Sequence, residues 1–186
     1  KVIAEELKGE LKQELSKLPG RPNLAILYFG TPPSLLFKHA QETLAIELDI
    51  GIQPPFPTVD LEWKRVNPAQ IEWQIREWNA DPTIHGIFVH QPLPPQLDAQ
   101  RISAVIDPRK DVEGIHPENS ARRFFAKARI GSCTALAVMR LLEETHESLE
   151  GKEAVVVGHS EIVGRPVSML LLDKLATTTI CHIGTK

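Results

Sequence analysis

Val155-Val156-Val157-Gly158-His159-Ser160-Glu161-Ile162-Val163-Gly164-Arg165-Pro166 is the stretch whose reading decides the fold. Three β-branched apolar residues read as a buried strand, a glycine follows at once, and an apolar pattern of helical spacing begins at Ile162. Gly158 lets the chain turn tightly, and Gly164 lets the helix pack close to the strand. Backbone amides at such a helix start favour a phosphate. Against the pattern G-x-G-x-x-G the middle glycine is missing, because Ser160 stands there. The pattern alone leaves two readings, a dinucleotide-binding turn or a plain strand–turn–helix corner. The ribose-binding acid expected about 20 residues onward is absent, since the next strand ends Cys181-His182-Ile183-Gly184. That weakens NAD and leaves NADP or no cofactor.

Outward from this turn, strands alternate with helices. Val2, Ile3, Leu7, Leu11, Leu15 and Leu18 recur at helical spacing, and Pro19-Gly20 stops that amphipathic helix. Asn23 to Phe29 is a short apolar strand closed by Gly30-Thr31-Pro32-Pro33. Ser34 is expected to cap a second helix running to about Asp49, with Gly51 ending it. Gln53 to Leu61 holds three prolines and reads as an edge strand or loop. Asn67-Pro68 opens a helix carrying Ile71, Ile75 and Trp78. Ile84 to Val89 is a second strand, Leu97 to Ile106 a short helix, and residues 107–132 an irregular polar connection. Cys133 to Thr145 is helical, Ala154 to Val157 a buried strand, Ile162 to Leu175 a helix and Thr177 to His182 a strand. The alternation predicts an α/β fold of two lobes with mainly parallel strands, residues 1–115 and 116–186. Only two strands fall in the second lobe, fewer than a doubly wound sheet usually has.

Composition narrows the function classes. The 186 residues are 42% hydrophobic, enough for a buried core, and no apolar run approaches the ~20 residues of a membrane helix. Net charge is −3, from 21 basic and 24 acidic residues well mixed along the chain, so neither a nucleic-acid partner nor an acidic tail is expected. Cys133 and Cys181 lie far apart in apolar settings and read as buried thiols of a reducing, cytoplasmic compartment. The first turns are charged, unlike a signal peptide. The seven histidines show no metal-ligand spacing. Ser160 lacks a nucleophile elbow, so a hydrolase triad is not expected. Trp63, Trp73 and Trp78 lie in or beside one helical segment and read as packing residues.

Two further motifs carry possible chemistry. Gly86-Ile87-Phe88-Val89-His90-Gln91-Pro92-Leu93-Pro94 places polar side chains at the carboxyl end of a buried strand, where α/β sheets bind ligands. His90 is there either an acid–base group or a hydrogen-bonded structural histidine. Lys110-Asp111-Val112-Glu113-Gly114, followed by His116-Pro117, is either a solvated turn or a carboxylate loop that holds the amino groups of a heterocycle.

These motifs, in this order, resemble the bifunctional 5,10-methylenetetrahydrofolate dehydrogenase/5,10-methenyltetrahydrofolate cyclohydrolase family. The resemblance runs from Lys1-Val2-Ile3-Ala4 to Thr185-Lys186 and is strongest at residues 79–94, 110–117, 132–134 and 156–168. It implies an amino-terminal folate-binding α/β lobe, a Rossmann-type NAD(P)-binding lobe, a cleft between them, and a homodimer. It implies folate contacts at Glu113, Pro92 and Leu93. It implies cofactor contacts, to NADP or NAD, at Gly158, His159, Ser160, Ile162, Gly164, His182 and Ile183.

The departures bear on catalysis. In Ser34-Leu35-Leu36-Phe37-Lys38-His39-Ala40-Gln41, Phe37 falls at the family's tyrosine and Gln41 at its lysine. Lys38, the nearest lysine, is read as lying on a different helix face from position 41. The family's glutamine falls on His90, its folate-binding aspartate on Glu113, and the proline before Cys133 on Ser132. His159 replaces an arginine, and Ile183-Gly184 replaces a serine and its neighbour, so weak nucleotide binding is expected. The family's remaining Rossmann strands and Pro-Gly-Gly segment have no counterpart before Lys186, which reads as a divergent member with its carboxyl-terminal part missing. Such a chain is expected to have lost the cyclohydrolase step, and a retained dehydrogenase role is one of three readings. The alternatives are a catalytically degenerate folate- or nucleotide-binding or scaffold protein, or an enzyme shifted to another pterin or cofactor.

Overall fold

A computed structural model of the chain describes residues 2–30, 32–53, 66–125 and 130–186. Most of the proline-bearing segment from Gln53 to Leu61, together with Trp63, lies outside the described residues. Two compact units make up the chain, Lys1–Lys110 and Asp111–Lys186.

In the first unit, β1 (Asn23–Leu27) is the middle strand of a parallel sheet, flanked by β2 (Gly51–Ile52) and β3 (Gly86–Val89). Leu24 pairs with Ile52 on one side and Gly86 on the other. A central strand covered on both faces needs an unbroken apolar run, and Ala25, Ile26 and Leu27 are all buried. At Gly51 in β2 a Cβ would lie 1.9 Å from Asn23 Oδ1, so any larger residue there would have to displace the Asn23 side chain.

Helix α1 (Val2–Leu15) has the amphipathic spacing expected of it, yet none of its residues is buried. Helix α2 spans Pro32–Glu47, so Ser34 sits inside the first turn and does not cap it. Prolines are tolerated there because the first helical amides have no intrahelical acceptor. The end of α2 also differs from expectation. Asp49, at φ 54°, makes the left-handed turn, and the Ile50 amide donates back to Ala45 O at 2.8 Å. Helix α3 (Pro68–Ala80) opens as the sequence predicts, with Asn67 accepting from the Ala69 amide, and buries Ile71, Ile75 and Trp78. Its carboxyl end is held by Lys110, whose ammonium donates to the carbonyls of Trp78, Asn79 and Asp81 at 2.9, 2.8 and 2.7 Å. Helix α4 (Ala99–Val105) is capped by Asp98.

The second unit begins with α5 (Pro117–Phe124), inside the segment read as irregular. His116 Nδ1 accepts from the Glu118 amide and Pro117 takes the first helical position. Glu118 lies in the first turn and Arg122 and Arg123 in the last, which suits the helix dipole. Then follow α6 (Cys133–Glu143), β4 (Glu153–Val157), α7 (Gly164–Asp173) and β5 (Thr177–Cys181). Strands β4 and β5 are parallel and paired from Glu153–Thr177 to Val157–Cys181. Ala154 and Val156 pack under α6 and α7 against Ala135, Met139, Val167, Leu171 and Ala176. The opposite face departs from the buried strand expected. Val155 is 65% and Val157 87% exposed, because no helix covers that side among the described residues. The thiols are likewise less buried than their apolar neighbours suggest, with Cys133 exposed and Cys181 half-buried. No helix among the described residues is long and apolar enough to cross a membrane.

Candidate functional site

Parallel sheets gather functional side chains at the carboxyl ends of their strands, where chain direction changes and helix amino ends converge. In the first unit this end carries Tyr28 after β1 and His90 after β3, with α2 beside them. The His90 amide donates to Leu27 O at 2.8 Å, which continues the ladder and fixes the imidazole in place. Its Nε2 meets Gln41 Oε1 at 2.8 Å. Phe37, one turn earlier on α2, lays its ring 5.3 Å from the His90 ring and 5.9 Å from Phe88. The residues at the three substituted positions, Phe37, Gln41 and His90, therefore form one cluster. Phe37 is its open side at 52% exposed, whereas Tyr28 and His90 are 3% and 2% exposed. Pro92 is exposed and Leu93 half-buried on the segment that follows, after a cis Gln91–Pro92 bond.

Lys38 also belongs to this cluster, contrary to its assignment to a different face. Residues three apart on a helix are neighbours, so positions 38 and 41 both turn towards the strand ends. The Lys38 side chain is buried, pairs with Glu42, and places its ammonium 5.0 Å from the centroid of the Tyr28 ring. Glu42 is held below the usual carboxylate range by its bond to Lys38, and its Oε2 lies 3.3 Å from His39 Nδ1.

Burial, and secondarily the Lys38 charge, push His90 down to about 4. An imidazole with so low a value is neutral and only a weak base at neutral pH, which favours the hydrogen-bonded structural reading of His90 over the acid–base one. A stability consequence follows with a definite sign. Above about pH 6.5 folded and unfolded chains both carry a neutral imidazole. Between about pH 6.5 and 4 only the unfolded chain takes up the proton, so stability falls by up to about 3 kcal/mol. His90→Gln is expected to remove that part of the acid loss, read as the difference between urea unfolding at pH 7 and pH 4.5. An unchanged difference would contradict the assignment.

In the second unit, Asp111 builds the loop that presents Glu113. The Asp111 carboxylate is fully buried and accepts from the amides of Glu113, Ile115 and His116 at 3.2, 3.2 and 2.9 Å, and from Asn119 Nδ2 at 2.8 Å. Arg123 closes the loop by donating to Gly114 O at 2.5 Å. Gly114 sits at φ 68°, and a Cβ there would lie 2.7 Å from the Arg123 guanidinium. Cys133 Sγ lies 3.5 Å from Val112 O. Although the residue is exposed overall, partial burial of its sulfur, and then the Glu113 carboxylate, push the thiol above its ordinary value.

The Gly158 turn holds the second group of expected residues. Gly158 has φ 122° with open space where a Cβ would stand, whereas a Cβ on Gly164 would lie 2.2 Å from Gly158 O. Glycine at 158 thus leaves a ligand room to approach the backbone, and glycine at 164 lets α7 close on the turn. His159 and His182, at adjacent strand ends, have ring centroids 5.1 Å apart. The helix start is not free, which corrects the expectation of open amides. Ser160 Oγ accepts from the Val163 and Gly164 amides at 3.1 and 3.2 Å, and Ser160 O from the Arg165 amide at 3.0 Å. Ser132 caps α6 and its hydroxyl donates to Ile162 O, tying the turn to that helix. Ile183 is fully exposed. Sequence reasoning missed Lys38, Glu42 and Asp111 as organisers. The spacing of Lys38 to Glu42 and Gln41 was the available signal for the first two. No group of three or more metal-ligating side chains occurs among the described residues.

Comparison with known proteins agrees with this architecture. Residues 1–113 match the catalytic domain of tetrahydrofolate dehydrogenase/cyclohydrolase, and residues 132–186 its NAD(P)-binding domain. The chain is 36% identical over 189 residues to the bifunctional protein FolD of Geotalea uraniireducens, covering 100% of this chain and 66% of that one. It is 38% identical to FolD 2 of Geobacter sulfurreducens, covering 65% of that protein. Among solved structures, the bifunctional enzyme FolD of Campylobacter jejuni superposes with a TM-score of 0.91 at 34% identity, over 100% of this chain and 66% of that one. The Trypanosoma brucei enzyme, solved with NADP and an inhibitor, gives 0.87 at 28% identity over 99% of this chain and 63% of that one. The chain thus spans about two thirds of the length of these relatives. By both of its matched domains, the chain belongs to the tetrahydrofolate dehydrogenase/cyclohydrolase family.

Proposed function

We propose that this chain serves the dehydrogenase half of the family's chemistry, oxidising 5,10-methylenetetrahydrofolate with NAD(P), and has lost the cyclohydrolase half. Residues 1–115 supply the folate lobe and 116–186 the nucleotide lobe, in a cytoplasmic homodimer. Hydride transfer is chiefly positioning. The C–H bond of the methylene bridge breaks with its electron pair leaving as hydride, and the bridge carbon becomes part of a cation shared with two flanking nitrogens. A bound oxidised nicotinamide supplies the hydride acceptor. Phe37 and Phe88 offer an aromatic surface for the substrate, with Pro92 and Leu93 as further contacts in the same unit.

Hydrolysis of the methenyl cation asks more of the protein, because water must lose protons and a ring nitrogen must gain one. The observation that carries the proposal is the Gln41–His90 pair. Gln41 does not titrate, and His90 titrates only near 4. Phe37 has no hydroxyl to relay a proton.

The nucleotide turn fits a dinucleotide in part. Gly158 leaves open room, and Ser160, while accepting two amides, keeps its hydroxyl proton to donate. Gly158, His159, Ser160, Ile162, Gly164, His182 and Ile183 would hold the cofactor. Engagement of the helix-start amides leaves few donors, and His159 lacks the fixed charge and paired donors of an arginine. Calorimetry with NADP and with NAD is expected to give Kd values above about 1 μM, weaker than about −8 kcal/mol. Sub-micromolar binding of either would contradict this account of the lobe. The same engaged amides favour one second reading, a degenerate folate-binding or scaffold protein, which predicts no hydride transfer at any cofactor concentration.

A further inference from the structure

Beside Gln41 and His90 lies a charged pair that the proposed chemistry does not use, Lys38 with Glu42. Lys38 is 8% exposed, and Glu42 is the carboxylate that compensates it. A buried ammonium without such a partner is strongly disfavoured. The two charges sum to zero, Gln41 has none, and His90 is neutral at neutral pH. Around them stand the rings of Tyr28, Phe37, Phe88 and His90, with Phe88 5.1 Å from His90 and the Tyr28 ring already facing a cation. Aromatic faces attract cations, and neutral polar groups do not repel them.

The charge of the ligand changes during the proposed reaction. Methylenetetrahydrofolate is neutral at its bridge, and loss of a hydride leaves the bridge cationic. At a separation of about 5 Å and an effective dielectric near 20, an uncompensated ammonium opposes the binding of a cation by roughly two orders of magnitude. We propose that the Lys38–Glu42 pair, with Gln41, makes this a charge-neutral pocket that retains the methenyl cation, Glu42 being the residue that determines this specificity. The inference rests on the folate reading above.

The test compares two ligands on the whole chain, the cationic methenyltetrahydrofolate and the neutral 5-formyltetrahydrofolate, by fluorescence quenching soon after mixing at pH 7. The unsubstituted chain is expected to bind the cation at least as tightly as the neutral compound. Glu42→Gln exposes the Lys38 charge and should weaken the cation about tenfold, after allowance for solvent screening, while leaving the neutral ligand within about twofold. Lys38→Met combined with Glu42→Gln removes both charges and should restore cation binding, which also answers a folding defect in the single variant. Equal effects of Glu42→Gln on both ligands, no effect on either, or no rescue in the double variant would overturn the inference and leave the folate reading standing. Failure of the unsubstituted chain to bind either compound would overturn both.

Discussion

Replacing Gln41 by Lys together with Phe37 by Tyr is expected to raise hydrolysis of methenyltetrahydrofolate about 10²–10⁴-fold above the uncatalysed rate. Gln41 Oε1 already meets His90 Nε2 at 2.8 Å, so a lysine there reaches the same cluster. Partial burial of position 41 beside the His90 ring would hold a new ammonium below its ordinary range and bring its free amine closer to neutral pH. Phe37 is 52% exposed, so an added hydroxyl meets solvent without a desolvation cost. The unsubstituted chain should leave the cation to decay at the buffer rate. Loss of the methenyl absorbance, followed with and without each variant, checks both statements. A double variant indistinguishable from buffer would contradict the assignment of positions 37 and 41.

Asp111→Ala is expected to be the most damaging single change to the second unit, costing about 3–5 kcal/mol. It deprives three backbone amides and the Asn119 amide of their shared acceptor. It also removes the carboxylate whose charge offsets burial of Arg123, a guanidinium only 9% exposed. Asp111→Asn keeps one acceptor oxygen and should cost visibly less. Urea unfolding of the whole chain, with amide exchange at Ile115 and His116, separates the two. A change below about 1 kcal/mol for the alanine variant would show that the carboxylate is dispensable.

Periodicity and strong punctuation made much of the fold legible. Asn67-Pro68 marked the start of α3, and the apolar runs at β1 and β3 marked a buried parallel sheet. Where the reading erred, a competing interaction decided. Ser34 looked like a cap, but Pro32 already occupies a helical position before it. Gly51 looked like a helix terminator, but Asp49 takes the left-handed turn and Gly51 lies in β2 against the Asn23 side chain. Helix α5 was hidden because it is short and polar, with its stability in His116, Pro117 and the Arg123 anchor. The site residues at 37, 41 and 90 came from resemblance, and their proximity from the fold. Neutrality of His90 was not legible at all, since it depends on burial between β3 and α2 and on a lysine from the adjacent turn. Nor was the fate of the helix-start amides, which turns on the rotamer of Ser160.

The central claim is a dehydrogenase without a cyclohydrolase, and one coupled measurement tests it most directly. The chain is mixed with methylenetetrahydrofolate and millimolar NADP or NAD, and reduced nucleotide and methenyltetrahydrofolate are followed together. The account predicts that the two appear in a one-to-one ratio and that the methenyl compound then disappears only at its uncatalysed rate. Reduced nucleotide accompanied by 10-formyltetrahydrofolate, formed as fast as the methenyl compound arises, would contradict the loss of the cyclohydrolase step, and no reduced nucleotide with either cofactor would contradict the dehydrogenase itself.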